Sequence, residues 1–246
     1  MEEVSSLRCR CLIQPVRGAR RRLTAKGVVS GDLAAAAGAK GVVSGDLSTI
    51  AGARTVAEQV NKLGRFDAVI HNAGVGYREG RVEIEPGVPS VFAVNVLAPY
   101  ILTALIKRPD RLVYVSSGTH HGVRPRMDDL LWTKRAWSGF SAYAESKLCD
   151  VLLACAVARR WKDVKSNALE PGWVPTKMGG PSAPDDLHLG CLTQAWLATS
   201  DDELARSTGR YFYHQRPRAP NRIADDVGTQ EELLAECHRI SGVLLD

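Results

Sequence analysis

The chain has 246 residues, 45% of them hydrophobic and 24% charged, which favours a folded α/β domain over a disordered chain. Its net charge of +5 comes largely from arginines near the start, which we interpret as a solvated terminus because no aromatic residues accompany them. The longest apolar run is too short to cross a bilayer and the cysteines lack zinc-site spacing, so we expect one cytoplasmic domain over residues 1–246, without metal or nucleic acid.

An internal repeat marks the first part of the chain. Residues 25–33 and 39–47 both read AKGVVSGDL. Two copies are too few for a solenoid, so we interpret the pair as a local duplication whose second copy is the native one. Residues 1–40 are then a divergent segment before a regularly patterned core over residues 41–246.

Strands and helices are predicted to alternate from Gly41 onward. The predicted strands are Gly41–Ser44, Phe66–His71, Arg111–Ser117, Lys165–Leu169 and Gly209–His214. The predicted helices are Ser48–Leu63, Pro89–Ile106, Ala142–Trp161, Leu189–Ala198 and Gln230–Ser241, with a long connection over Gly118–Ser141. This alternation predicts an α/β fold with a doubly wound parallel sheet, which binds ligands beyond the carboxyl ends of its strands.

Three short motifs follow predicted strands at that edge. They are Asn72-Ala73-Gly74, Ser116-Ser117 and Pro171-Gly172. Each one alone is also typical of an ordinary turn, but their coincidence favours a binding site.

Tyr143 and Lys147 are four residues apart in the sequence YAESK, which places them on one helix face, about 6 Å apart. A lysine ammonium near a phenol favours the phenolate, so the pair can exchange a proton with a carbonyl or an alcohol. The alternative is an ordinary surface pair.

The hydroxyl of Ser117 either hydrogen-bonds the same reacting oxygen or caps a strand end. Asn95 either caps a kink near Pro99 or holds a water that feeds protons to the lysine.

Together these motifs resemble the short-chain dehydrogenase/reductase family, over roughly residue 41 to the C-terminus. The resemblance implies a Rossmann-like fold with Tyr143 as general acid/base, Lys147 as the residue that activates it and binds the nicotinamide ribose, Ser117 as the group that orients the substrate oxygen, and Asn95 in a proton relay. It also implies contacts to NADP or NAD. The residues implied in those contacts are Asp46 and Leu47 at the adenine, Asn72, Ala73 and Gly74 along the adenosine side, Tyr143 and Lys147, and Pro171, Gly172, Val174 and Thr176 in a loop over the nicotinamide.

The interval of 26 residues between Ser117 and Tyr143, with the sequence GRYF near the C-terminus, resembles the retinol-dehydrogenase-like branch. Four aromatic residues lie on or beside this long loop: Trp132, Trp137, Phe140 and Trp173. They either line an apolar substrate pocket or anchor the loop to the sheet. We interpret His120 and His121 as polar loop residues.

The family's glycine-rich phosphate turn, Thr-Gly-x-x-x-Gly-x-Gly, is not found in the sequence. We interpret the first strand–helix unit as absent or replaced, with residues 9–16 as the second strand. The arginines at 20–22 would then meet the 2′-phosphate of NADP, or belong to a basic tail.

These observations predict an NAD(P)-dependent oxidoreductase that interconverts an alcohol and a carbonyl on a small, apolar substrate. The missing glycine turn supports an alternative, a non-catalytic relative that has lost dinucleotide binding and serves as a binding or interaction protein. By resemblance, the helices Pro89–Ile106 and Ala142–Trp161 would form a homodimer or homotetramer.

Overall fold

A computed structural model describes residues 43–78 and 80–246. Its main-sheet strands are β1 (Ala68–His71), β4 (Arg111–Val115), β5 (Lys165–Glu170), β6 (Tyr211–Tyr213) and β7 (Arg216–Arg218), and β2 (Glu83–Glu85) and β3 (Val88–Pro89) form a separate hairpin. The helices are α1 (Ile50–Lys62), α2 (the consecutive segments Ser90–Phe92, Ala93–Leu97 and Ala98–Leu105), α3 (Gly139–Arg160), α4 (Leu187–Thr199) and α5 (Val227–Ser241).

The main sheet has the strand order β1-β4-β5-β6-β7. Its first four strands pair in parallel, and β7 pairs antiparallel to β6. Parallel neighbours require crossover connections, which α2, α3 and α4 supply. The predicted α/β fold with a doubly wound, mostly parallel sheet is confirmed.

Helices cover both faces of the sheet, because side chains alternate along each strand. On one face, Leu112 and Tyr114 of β4 pack with α1, α2, α3 and α5 in the larger core. On the other face, Val113 and Val115 pack with Leu197 of α4.

Helix ends follow the capping chemistry of the sequence. Ser138 lies before α3 and its hydroxyl accepts from the backbone N–H of Ser141, while Asp186 and Asp226 cap α4 and α5 in the same way. Helix α5 ends at Gly242, whose φ of 64° lies in the left-handed region that glycine adopts most easily.

Two local predictions differ from the structure, and three short strands were not predicted. The predicted strand Gly41–Ser44 begins outside the described residues, and no strand is present over residues 43–46. The predicted helix Pro89–Ile106 is present as α2 but contains a π-helical turn over Ala93–Leu97. The β2–β3 hairpin and β7 were not predicted, because each strand has only two or three residues.

Several predictions lie outside the described residues. They are the first AKGVVSGDL copy, the second strand over residues 9–16 and the arginines at 20–22. Among residues 43–78 and 80–246, no helix combines the length and apolarity needed to cross a membrane. In the same part of the chain, no three His, Cys, Asp or Glu side chains come together as metal ligands.

Candidate active site

Loops from three neighbouring strands lie together at the carboxyl edge of the sheet. Asn72-Ala73-Gly74 follows β1, Ser116-Ser117 follows β4, and Pro171-Gly172 follows β5. The loops after β1 and β5 also meet, since a Cβ added to Gly76 would lie 3.0 Å from Cγ of Met178. Three backbone turns therefore lie at this edge of the sheet, where ligands bind in parallel α/β folds.

Lys147 lies one helical turn after Tyr143 on the buried face of α3, and the two residues are 5% and 8% exposed. The Lys147 Nζ donates to the backbone carbonyl of Val115 and to Oδ2 of Asp150, both at 2.9 Å. The same Nζ lies 6.0 Å from the centroid of the Tyr143 ring. A lysine ammonium is therefore fixed beside the phenol, at the end of β4.

Ser116 and Ser117 have different contacts. The buried Ser116 hydroxyl donates to the backbone carbonyl of Lys147 at 2.6 Å and ties β4 to α3. Ser117 is half-buried and directly precedes a 3₁₀ turn over Gly118–Gly122. Its Oγ accepts a hydrogen bond from the hydroxyl of Thr119 at 3.2 Å. Ser117 thus acts as a cap, and it uses its oxygen as acceptor in doing so.

Asn95 lies in the π-helical turn of α2 and is 0% exposed. Its Oδ1 accepts from the backbone N–H of Val75 at 2.8 Å, and its Nδ2 donates to the Val75 carbonyl at 3.1 Å and to the Ser146 hydroxyl at 2.9 Å. The side chain therefore joins the loop after β1 to both α2 and α3, which is the kind of full pairing a buried amide requires.

Gly74 lies directly above these groups. A Cβ added to it would lie 3.4 Å from Oδ1 of Asn95 and 3.5 Å from Nζ of Lys147. The backbone of Gly74 therefore comes close to both the Asn95 amide and the Lys147 ammonium.

The loop after β5 is held in a fixed shape. Gly172 has a φ of 84°, and a Cβ there would lie 2.6 Å from Oδ2 of Asp185. That carboxylate accepts from the backbone N–H of Trp173 at 2.5 Å. Val174 is buried, and the exposed Thr176 accepts from the backbone N–H of Gly179 at 3.1 Å. Pro171 is half-buried.

Asp46 and Leu47 lie shortly before α1, which begins at Ile50. The exposed Asp46 carboxylate accepts from the backbone N–H and the hydroxyl of Ser48, at 2.8 and 2.6 Å. Leu47 is 3% exposed and belongs to the larger core. Within the described part of the chain, no ring contact or side-chain hydrogen bond links Asp46, Leu47 or residues 171–176 to Tyr143.

Four aromatic residues were predicted either to line a substrate pocket or to anchor the long loop before α3. Two of them, Trp132 and Trp137, anchor the loop. Trp132 is buried and packs edge-on against Trp137 at 5.6 Å. The Arg135 guanidinium lies 3.6 Å from the Trp132 ring centroid and pairs with the carboxylates of Asp129 and Glu145. The long loop is therefore fixed onto α3.

The other two aromatic residues are exposed, Phe140 by 53% and Trp173 by 56%. The ring of Tyr77, which is 40% exposed, lies 5.6 Å from Phe140 and 5.7 Å from Tyr143. Sequence reasoning missed Tyr77 because it lies in an irregular loop. Its position three residues after Gly74 is the signal that could have identified it.

A second set of polar residues lies behind Ser117. The His120 Nδ1 lies 2.7 Å from the Ser117 carbonyl, and its Nε2 accepts from the backbone N–H of Asn221 at 3.2 Å. Burial lowers the pKa of His120 to about 4, so the ring is neutral near neutral pH. Glu170, the last residue of β5, is buried and forms an ion pair with Arg218. These contacts explain both polar side chains as structural.

No protein-family model matches the chain. Curated relatives do match it. The chain is 39% identical over 194 residues to "Short-chain dehydrogenase chry4" of Gibberella zeae, an alignment that covers 77% of this chain and 74% of that protein. The chain belongs to the short-chain dehydrogenase/reductase family. It is thus an oxidoreductase by family, and the resemblance inferred from the sequence is confirmed.

Other short-chain dehydrogenases give the same result. The chain is 38% identical over 196 residues to "Short-chain dehydrogenase chyC" of Penicillium rubens, covering 77% of this chain and 74% of that protein. It is 31% identical over 216 residues to "Retinol dehydrogenase 13" of Homo sapiens, an alignment that covers 76% of this chain and 64% of that protein. A solved Mycobacterium paratuberculosis structure superposes with a TM-score of 0.68 at 23% identity over 84% of this chain and 77% of that one, which shows the shared fold.

The described residues fit the nicotinamide side of a dinucleotide. The backbone of Gly74 lies close to the Lys147 ammonium with no side chain between them, and the loop after β5 reaches the loop after β1 through Met178 and Gly76. Residues 1–42, in whose sequence the glycine-rich phosphate turn is not found, lie outside the described residues.

Proposed function

We propose that this short-chain dehydrogenase/reductase interconverts an alcohol and a carbonyl with NADP or NAD, and that Tyr143 transfers the proton. One observation carries the proposal: the Lys147 Nζ is held 6.0 Å from the Tyr143 ring centroid at the carboxyl end of β4. An ammonium at that position stabilises the negative charge that the Tyr143 oxygen carries once it has given up its proton.

In the reductive direction, the carbonyl carbon gains a hydride and the carbonyl oxygen gains the Tyr143 proton. A bound nicotinamide dinucleotide supplies or accepts that hydride. Lys147 stabilises the phenolate that remains until solvent returns a proton, and Asn95 supports this arrangement by joining the loop after β1 to α3. Ser117 orients the substrate oxygen, since its contacts with Thr119 leave its hydroxyl hydrogen to donate. In the oxidative direction each transfer is reversed.

The dinucleotide contacts in this proposal come from four regions. They are Asp46 and Leu47, Asn72-Ala73-Gly74, the pair Tyr143 and Lys147, and Pro171, Gly172, Val174 and Thr176. NADP is favoured over NAD by two structural neighbours that contain it, a Pseudomonas aeruginosa RhlG/NADP complex and an NADPH-bound carbonyl reductase from chicken fatty liver. The arginines at 20–22 remain candidates for its 2′-phosphate.

The substrate in this proposal is small and apolar. Tyr77 exposes ring surface beside Tyr143, and Phe140 exposes ring surface beside Tyr77. Apolar surface beside a few polar groups is typical of a small-molecule site. Trp173 adds a third exposed ring on the loop after β5. A single domain over residues 1–246 and self-association through α2 and α3 stay predictions.

The non-catalytic alternative rests on one observation, the missing glycine turn. The first experiment therefore measures binding: the full chain is titrated with NADPH and with NADH, and the heat of each addition is recorded by calorimetry. We expect a Kd for NADPH near micromolar, which corresponds to a binding free energy of about −8 kcal/mol. A folded chain that binds neither nucleotide at millimolar concentration would favour the non-catalytic relative.

The second experiment tests the chemistry with a panel of aromatic and aliphatic ketones and NADPH. We expect Tyr143→Phe to lower kcat at least about a hundredfold while NADPH affinity changes little, because only the transferable proton is lost. Tyr213→Phe, a half-buried tyrosine stacked on His214, is the matched control and should keep wild-type activity. Equal activity in the Tyr143 variant and the wild type would rule out the proton-transfer role.

A further inference from the structure

A buried carboxylate contacts the lysine of the candidate site. Asp150 lies three residues after Lys147 on α3 and is 2% exposed. Its Oδ2 accepts from the Lys147 Nζ at 2.9 Å, opposite the Val115 carbonyl at the same distance. An Asp in this run of apolar residues needs such a partner, because an unpaired buried charge is costly.

The titratable groups around Asp150 come from three elements. Lys147 and Cys149 lie on its own helix, and Tyr114 projects from β4. The Tyr114 hydroxyl lies 2.7 Å from that of Thr103 on α2, which lies 3.1 Å from Nε2 of His71. Burial raises the pKa of Tyr114 and Cys149 and lowers that of His71, so these three groups are neutral near neutral pH.

The pKa of the Asp150 carboxyl lies above its ordinary value. Burial raises the pKa of Asp150 to about 6, although the Lys147 ammonium opposes the shift. Above that pH, the ammonium and carboxylate form a pair of zero net charge. A carboxylate in direct contact with an ammonium offsets the effect of that ammonium on any third group nearby.

We propose that Asp150 is a positioning residue that holds the Lys147 ammonium beside Tyr143 and, by offsetting its charge, sets the pH range in which Tyr143 exchanges protons. The inference rests on the proposed function. Two separable effects follow from it. The oxygen acceptor positions the lysine, and the negative charge limits how strongly the lysine favours the phenolate.

Asp150→Asn separates the two effects, because the amide keeps an oxygen acceptor for Lys147 and removes the charge. Alcohol oxidation needs the phenolate, so its rate rises with pH. We expect the rising part of the pH–rate profile to move about one pH unit lower in Asp150→Asn. At a pH below the midpoint, the variant then oxidises the alcohol about tenfold faster than the wild type. Asp150→Glu retains the charge, so its midpoint should remain near that of the wild type.

The experiment measures kcat and kcat/KM for alcohol oxidation from about pH 5 to about pH 10 in the full chain. Glu231→Gln is the matched control: Glu231 pairs with Arg159 and Arg160 at the other end of α3, about 18 Å along the helix from Lys147. This variant also loses one negative charge and should keep the wild-type profile. Coincident profiles for Asp150→Asn and wild type would overturn the inference.

A second measurement needs no turnover. Each protein, the wild type and the variant at position 150, is titrated to alkaline pH with and without the additional substitution Tyr143→Phe. The difference in tyrosinate absorbance between the two titrations is the contribution of Tyr143. We expect this absorbance to appear about one pH unit lower in Asp150→Asn, or in Asp150→Ser if Asp150→Asn does not fold. If the wild type oxidises no alcohol, the proposed function fails, and this titration still decides whether Asp150 controls Tyr143. Unchanged titrations would refute that control.

Discussion

His71 makes the stability of the protein depend on pH. Its ring is fully buried at the end of β1, 3.1 Å from the Thr103 hydroxyl and 4.8 Å from the Tyr114 ring. Burial lowers the pKa of His71 to about 3 from an ordinary value of 6.5. Between these two pH values the unfolded chain binds a proton that the native protein does not bind, so the folded state loses stability as the pH falls.

The magnitude follows from the two pKa values. Each pH unit below 6.5 lowers the free energy of unfolding by about 1.4 kcal/mol, so acidification from pH 7 to pH 5 removes about 2 kcal/mol through this one group. Most domains have a total stability of about 5–15 kcal/mol, so this loss is a substantial fraction.

Urea unfolding at pH 7 and pH 5 tests this linkage by comparing the wild type with His71→Phe, which keeps a planar ring against Tyr114. We expect the wild type to lose about 2 kcal/mol more than the variant between the two pH values. Other titrating groups, such as His120, contribute equally to both proteins and cancel. If both proteins lose the same stability, the native His71 accepts a proton at pH 5 and the reasoning fails.

Three further predictions concern stability and are checked by urea unfolding at pH 7. Arg135→Ala should cost about 3–5 kcal/mol, because it leaves two carboxylates buried without their cation; Arg65→Ala, in an exposed pair, is its control and should cost less than about 1 kcal/mol. Equal costs would refute the anchoring of the long loop. Leu152→Ala, at a fully buried position on α3, should cost about 2–5 kcal/mol, and a cost under about 1 would mean that the core repacks. Gly242→Ala should cost about 1 kcal/mol because of its φ of 64°, and an unchanged stability would show that the end of α5 relaxes.

The order of strands and helices could be predicted from the sequence because long elements carry a clear hydrophobic period. Helix α3 begins at Gly139 rather than Ala142, since Ser138 caps it. The π-helical turn around Asn95 could not be predicted, because it depends on how the amide pairs with Val75 rather than on the local pattern.

The candidate site was predictable where its residues share a helix face or follow strands. Asp150 was missed, although a charged residue within the apolar run LCDVLLACAV was a usable signal of a buried partner. Trp132 and Tyr77 illustrate a real limit: which aromatic residue anchors a loop and which one contacts Tyr143 depends on tertiary packing.

The amide of Asn95 ties the loop after β1 to two helices before any ligand arrives. Ordering a free loop costs roughly 1–2 kcal/mol of conformational entropy per residue, and a binding partner would otherwise have to supply it. Here the chain loses that entropy once, during folding. Preorganisation of this kind leaves more of the contact energy of a bound molecule to appear as affinity.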